Sequence, residues 1–397
     1  MRCQFDADEE LADLLNDHQN IRELHIGFNA ELDPDEWDDL ARSIKSNGSI
    51  KDITLLNGWD ADDEYDDGLR EVVSALARGG ALEKLTFWGI PLGDEGLCKI
   101  CKGLRASNTI RDITFDSCAR FNTRKITHKG ASALAELLRT SETLESVALS
   151  GTWPFGIDVG NLGAIALADA IVNRKAKTKK IRLHDCNIGD TGGIVLCRLL
   201  DNSDLGIETL ELGQNQFSFS VCKEFAKCLR ANSTLKVLDL SGDREDDDAD
   251  QDSETKLHVL FFDSLRTNRS LVQLLLPCSN FLPCWLDSMK KRTALENLLE
   301  TNHTITKVVP MTDSMDCIKD RMRNSNSKHP ILASTMKGAP FPAYFTKDLS
   351  EVLVSEALER ADNVAGIDGV FSLLRQVGDN AARFAFTSSS EKRGRGD

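Results

Sequence analysis

One phrase of apolar and polar positions, apolar-x-x-apolar-x-apolar, recurs along this chain at steps of 28 to 36 residues. The copies are IRELHI from Ile21, IKDITL from Ile50, LEKLTF from Leu82, IRDITF from Ile110 and LESVAL from Leu144. TKKIRL from Thr178, IETLEL from Ile207, LKVLDL from Leu235, LVQLLL from Leu271 and ITKVVP from Ile305 complete the ten. The fourth and sixth positions alternate with polar residues, a period of two that predicts a short half-buried strand. Between copies lie EGLCKICKGL, GASALAELL, LGAIALADAIV and VCKEFAKCL, with apolar residues three and four apart, which predicts helices. The predicted unit is strand, turn, helix, turn.

The helices share a register. Six residues before most strands stands a large aliphatic: Ile44, Leu76, Leu104, Leu138, Leu229, Leu265 and Leu299, with Ile171 and Leu200 one residue further back. Three residues earlier the position is usually small, as at Ala41, Cys101, Ala135, Ala168, Cys197 and Ala226, so helix backbone can approach strand backbone closely. Phe262 and Glu296 break that rule, and packing is expected to change toward the C-terminal end.

The phrase that leads from strand to helix is fullest in IRLHDCNIGDTGG and returns in LTFWGIPLGDEG. Here glycine is expected to supply permissive backbone angles and aspartate to cap the helix start. Together with the ten copies, this phrase resembles the leucine-rich-repeat family, in the long-unit subtype of ribonuclease inhibitor. The resemblance implies an α/β solenoid, a curved horseshoe with a parallel sheet on the concave face and helices on the convex face. It covers residues 21–312. Residues 1–20, with the amphipathic stretch DEELADLLNDH, are expected to cap the N-terminal end. Residues 313–397 lose the repeat and read as a helical cap ending in a disordered basic tail. The fifth copy carries the insert TWPFGIDVGN, and the last ends in Pro310, which cannot donate to a ladder.

Charge narrows the partner. Among 397 residues the net charge is −15, so the body should repel nucleic acid and favour a protein partner with a basic patch. No apolar run reaches membrane-spanning length and the acidic start MRCQFDADEELADLL lacks a secretory pattern; a monomer in the cytoplasm, or the nucleus, is expected. Eleven scattered cysteines read as reduced thiols. Four sequons, at Asn47, Asn232, Asn268 and Asn302, each precede an apolar run, so they read as part of the repeat's own loop.

Several motifs suggest chemistry and are outweighed. Cys98 and Cys101 form a CxxC, but no second one exists and Cys101 shares its repeat position with Ala135 and Ala168. Cys118 and Cys186 hold the post-strand position of Asn29 and Asn215; in the family that residue turns inward and satisfies neighbouring backbone. The acidic runs DADDEYDDG and DREDDDADQDSE fall in strand-to-helix loops. The second resembles a calcium loop with Glu254 twelfth, yet Asp248 stands where the sharp turn needs glycine, so a solvated or docking loop is the preferred reading. No nucleophile triad, phosphate loop or dinucleotide fingerprint is assembled, so no catalytic residue, cofactor or metal is expected.

The strand positions that point away from the core are expected to bind the partner: Phe28, Asp52, Thr54, Trp88, Asp112, Asp116, Arg182, His184, Glu211 and Asp239. Phe28 and Trp88 are aromatics with no core reason to be there, and His25 and His184 are placed on exposed positions. Acids dominate both ends of the face, with a basic patch at Lys180 and Arg182. The preferred function is a non-enzymatic protein-interaction scaffold. The resemblance offers two alternatives: an activator of the small GTPase Ran, and an actin-associated regulator. The first family ends in a long acidic tail where this chain ends basic, and the second carries preceding helical segments that are not found here.

Overall fold

In the computed structural model the repeated phrases become neighbouring strands of one parallel sheet. The structure describes residues 2–6, 9–18, 20–28, 34–57, 81–118, 125–151, 157–242, 251–276 and 289–310. The expected helices of residues 313–397 and the acidic run 60–68 lie outside them. The strands are β1 (Arg2–Asp6), β2 (Glu23–Phe28), β3 (Asp52–Asn57), β4 (Lys84–Trp88), β5 (Asp112–Asp116) and β6 (Ser146–Ser150). They continue as β7 (Lys180–His184), β8 (Thr209–Glu211), β9 (Val237–Asp239), β10 (Gln273–Leu276) and β11 (Lys307–Pro310). Their spatial order is their sequence order. The described helices are α1 (Glu9–Asp17), α2 (Pro34–Ser46), α3 (Gly93–Leu104), α4 (His128–Thr140) and α5 (Gly160–Asn173). Then come α6 (Asp190–Arg198), α7 (Phe219–Leu229), α8 (Gln251–Leu265) and α9 (Met289–Thr301).

β1 is a strand that the repeat pattern does not mark. It pairs in parallel with β2, Cys3 opposite Leu24 and Phe5 opposite Ile26, and α1 follows it. Its stretch RCQFD has two apolar positions and no leucine three residues ahead, so periodicity alone passes over it.

The core is made of rows running across the sheet. Ile53, Leu85, Ile113, Val147, Ile181, Leu210, Leu238 and Leu274 occupy one row in register. All are buried, and the next row stacks Phe87 on Phe115 with ring centroids 5.0 Å apart. The helix positions predicted large (Ile44, Leu104, Leu138, Ile171, Leu200, Leu229, Leu265) and small (Ala41, Cys101, Ala135, Ala168, Cys197, Ala226) are buried too. Stacking closes each repeat's apolar side with its neighbour, so the core grows along one axis. At the C-terminal end Phe262 is fully buried, and a buried ion pair joins α8 to α9, with Lys291 Nζ 2.6 Å from Glu254 Oε1.

The sequon asparagines form a ladder between repeats. Asn268 donates through Nδ2 to Leu229 O and Asn232 O, both at 2.8 Å, and its Oδ1 accepts from Ser270 N at 3.0 Å and Leu271 N at 2.8 Å. Asn302 repeats this with Leu265 O and Asn268 O, and Asn47 with Leu15 O and His18 O. Each of the four is buried, its nitrogen committed to backbone, which agrees with a loop role. Repeats with serine at this place, Ser107 and Ser141, keep only the acceptor half.

The Gly-Asp phrase works differently from expectation. Asp190 does not cap its own helix: its carboxylate accepts from Ser218 N and Oγ, both at 2.7 Å, at the start of the next repeat's α7. Asp94 does the same one repeat on, accepting from Thr127 N at 2.7 Å, Thr127 Oγ1 at 2.7 Å and Gly130 N at 2.8 Å. The aspartate is thus a clasp between repeats. Gly189 does not use permissive angles, its φ being −92°, whereas Gly93 of the other phrase does, at φ 59°, as expected. The glycine requirement sits at Gly192, where a Cβ would lie 2.6 Å from Ile188 Cγ2 and 2.9 Å from Asn161 Oδ1. Left-handed backbone also occurs just after the strands, at Gly89, Ser117, Asp185 and Gln214. There the ladder continues, for example from Gln214 N to Ser241 O at 2.6 Å.

Candidate functional site

Period-two alternation sends every second strand residue away from the helices, onto the open face of the sheet. The central part of that face is a charged cluster. Arg182 on β7 lies between Glu211 on β8, with Nε 3.4 Å from Oε2, and Asp116 on β5, with Nη1 4.0 Å from Oδ2. Lys180 reaches the other oxygen of Glu211 at 3.2 Å. Asp116 and Arg182 sit on strands that are not adjacent. They meet because β6, between them, offers only Ser146, Ala148 and Ser150 to the open face. These three are buried, so the long arginine side chain crosses over a strip of small residues. Sequence reasoning omitted this strip, although the polar positions of LESVALS carry it.

Burial sets the ionisation of the cluster. It raises the carboxyl of Asp116, partly offset by Arg182, Ser117 and His184. It raises Asp239 as well, with Ser241 hydrogen bonds at 2.8 and 2.6 Å holding the carboxylate in place. His184 is pushed below the ordinary histidine range by burial and then by the Arg182 charge. His184 and His25 are therefore half-buried members of a network, not exposed side chains; His25 Nε2 lies 3.1 Å from Glu23 Oε1.

A second group covers β3 to β5. Asp52 Oδ2 accepts from Lys84 Nζ at 2.8 Å, while Asp52 Oδ1 is buried without a hydrogen bond. Burial opposes the charge of Lys84, but Asp52, Asp112 and Glu23 together raise its pKa. Thr54 is half-buried beside them in register with His25 and Thr86, and Asp112 lies 3.4 Å from Thr114 Oγ1. Trp88 ends β4 opposite Asp116 and is 39% exposed. It therefore stands between the two charged groups. Phe28 is expected on the same face. It ends β2 opposite Asn57, and its side chain lies outside the described ones. On β2–β9 the open face carries six carboxylates (Glu23, Asp52, Asp112, Asp116, Glu211, Asp239) against three cations (Lys84, Lys180, Arg182). The acidic excess survives the internal pairing.

On the adjoining rim a polar depression of about 310 Å³ is lined by Lys125, Ile157, Asp158, Asp185, Asn187, Gln214 and Gln216. Asn187 Nδ2 donates to Asp158 Oδ1 at 2.7 Å. Nothing in the hydropathy pattern marks it, since its residues come from loops of successive repeats.

The cysteines and the acidic loop resolve into structure. Cys118 Sγ donates to Phe87 O at 3.4 Å and Cys186 Sγ to Leu149 O at 3.4 Å, each reaching back to an earlier strand. Asn215 does the same with Leu183 O at 2.6 Å. Burial pushes the thiols of Cys98, Cys101, Cys118 and Cys186 upward, away from the reactive thiolate. Glu254, twelfth in the calcium-like loop, faces inward to Lys291 and is not presented to a loop-bound ion; residues 243–250 lie outside the described ones. Among the described residues, no three His, Cys, Asp or Glu side chains gather as metal ligands, and no helix is long and apolar enough to cross a membrane.

Comparison with known proteins agrees with this geometry. A leucine-rich-repeat family model matches residues 179–197, which span β7 and most of α6. Pig (Sus scrofa) ribonuclease inhibitor is 24% identical over 204 residues, 44% of this chain and 42% of that protein. The human (Homo sapiens) centrosomal protein of 78 kDa is 26% identical over 204 residues, half of this chain and 24% of its own length. Mouse (Mus musculus) NACHT, LRR and PYD domains-containing protein 12 is 28% identical over 181 residues, 44% of this chain and 13% of its own length. The matches thus cover less than half of each relative. Strand spacing, helix register and these likenesses together support a leucine-rich-repeat protein of the ribonuclease-inhibitor-like, long-repeat type.

Proposed function

We propose that this protein is a non-enzymatic scaffold that binds a protein partner through the open sheet face between β3 and β9. One observation carries the reading: Arg182, held by Asp116 and Glu211 over the small-residue strip of β6, with the exposed Trp88 opposite Asp116. The side chains are fixed before binding, so little conformational freedom is lost on association. Their acidic excess steers a partner with a basic patch, and Trp88 supplies the desolvated anchor. The acidic runs DADDEYDDG and DREDDDADQDSE add negative charge for the same partner. The relatives named as ribonuclease inhibitors suggest a ribonuclease as the first protein to try as partner. The Ran and actin readings rest on resemblance alone.

The test is calorimetric titration of the chain with a ribonuclease, and with partners recovered by cross-linking through Trp88-adjacent positions. Trp88→Ala and Arg182→Ala should each weaken binding by about tenfold or more, with the melting temperature of Trp88→Ala unchanged. Binding that both variants leave intact would refute the sheet-face reading.

A further inference from the structure

Four of the six large apolar side chains exposed among the described residues lie on two neighbouring helices. Leu162 is 64% exposed, Val172 55% and Ile165 36% on α5, and Ile194 is 36% exposed on α6. Stacking does not require them. Gly130, Gly163 and Gly192 hold the same place in α4, α5 and α6, each where a Cβ would crowd the preceding repeat. Counted from these glycines, the columns of Leu162, Ile165, Asp169 and Val172 are Lys129, Ser132, Glu136 and Arg139 in α4. In α7, whose Val221 matches Gly192, they are Ser220, Lys223, Lys227 and Arg230. Those helices bury the same inner set with a polar outer face. The apolar stripe on α5 is therefore extra to the solenoid, and exposed stripes of this kind mark contact surfaces.

The spacing says what would cover it. Leu162, Ile165, Asp169 and Val172 are three, four and three apart, the seam one helix presents to another. Ile194, level with Ile165, extends the seam into the groove between α5 and α6. A second copy of this chain is a poor occupant. An antiparallel self-pair that joins Leu162 to Val172 sets Asp169 against Ile165, and a parallel one sets Asp169 against itself. Either desolvates a carboxylate without a cation. On the α6 and α7 side the flank carries the exposed cations Arg198 and Lys223.

We propose that α5 and α6 dock a helix of another protein, one with aliphatic residues three and four apart, a Lys or Arg facing Asp169, and acids on the edge toward Arg198. This surface lies on the helix side and is independent of the sheet-face reading.

The test places a photo-cross-linking amino acid at the half-exposed Ala166 of the full chain, in extract of the cells that make it, and sequences the attached peptide. The expected adduct is a helical segment of another protein with that spacing and a cation at the matching place. Leu162→Ser with Val172→Ser should cut its yield about tenfold, Asp169→Lys should cut it too, and Trp88→Ala should leave it unchanged. Both seam variants should melt like the parent, since they replace exposed groups. Adducts only between copies of this chain, adducts on segments lacking the seam or the cation, yields that ignore the seam variants, or no adduct would each overturn the proposal.

Discussion

Replacing Asn268 with alanine should expose how strongly the asparagine ladder ties one repeat to the next. Asn268 is 2% exposed and makes four backbone hydrogen bonds, two donated and two accepted. Removing them leaves Leu229 O, Asn232 O, Ser270 N and Leu271 N without that partner. At about 1 kcal/mol for each orphaned buried group, the cost is about 4 kcal/mol. Asn268→Ser should cost about half, because Ser107 and Ser141 show that a hydroxyl at this place keeps both accepted bonds and loses the donated pair. Asn268→Asp should be worse than alanine at neutral pH, since it turns a carboxylate oxygen toward two carbonyls, and should recover as acid protonates it. The assay is urea unfolding followed by circular dichroism, with midpoint and slope reported separately, because a weakened interface in a repeat array can divide the transition. An alanine variant within about 1 kcal/mol of the parent, or an aspartate variant equal to it at neutral pH, would refute the ladder as a source of stability.

Three further outcomes are expected. Lys291→Met removes the cation that pairs the buried Glu254 carboxylate, leaving His258 Nδ1 3.8 Å from it, and should cost about 3 kcal/mol, most of it regained when Glu254→Gln is added, as read by urea midpoints. Asp94→Ala removes the clasp on Thr127 and Gly130 and should cost about 1–2 kcal/mol, with faster amide exchange in the first turn of α4 as the readout. His184 is neutral in the fold because burial and Arg182 depress its pKa, so unfolding takes up a proton. Stability is then complete above about pH 6.5 and falls as pH drops through that value. His184→Gln should flatten the melting-temperature profile between about pH 7.5 and 5.5. The raised carboxyls of Asp116 and Asp239 act with the opposite sign.

The sequence by itself determined the repeat unit, its strand and helix phases, and the buried rows from Leu24 through Leu274, because periods of two and near 3.6 are set by local backbone geometry. It also placed Asp52, Trp88, Arg182 and Glu211 on the open face and explained the four sequons as loop structure. What crosses from one repeat to another emerges only in the folded chain. Folding turned Asp94 and Asp190 from caps of their own helices into clasps on the next, and it committed Glu254 to Lys291. It also added β1, and let Arg182 reach Asp116 across the small residues of β6. Such contacts join residues about thirty positions apart, at distances set by how closely the repeats stack, and a local pattern carries no record of that spacing.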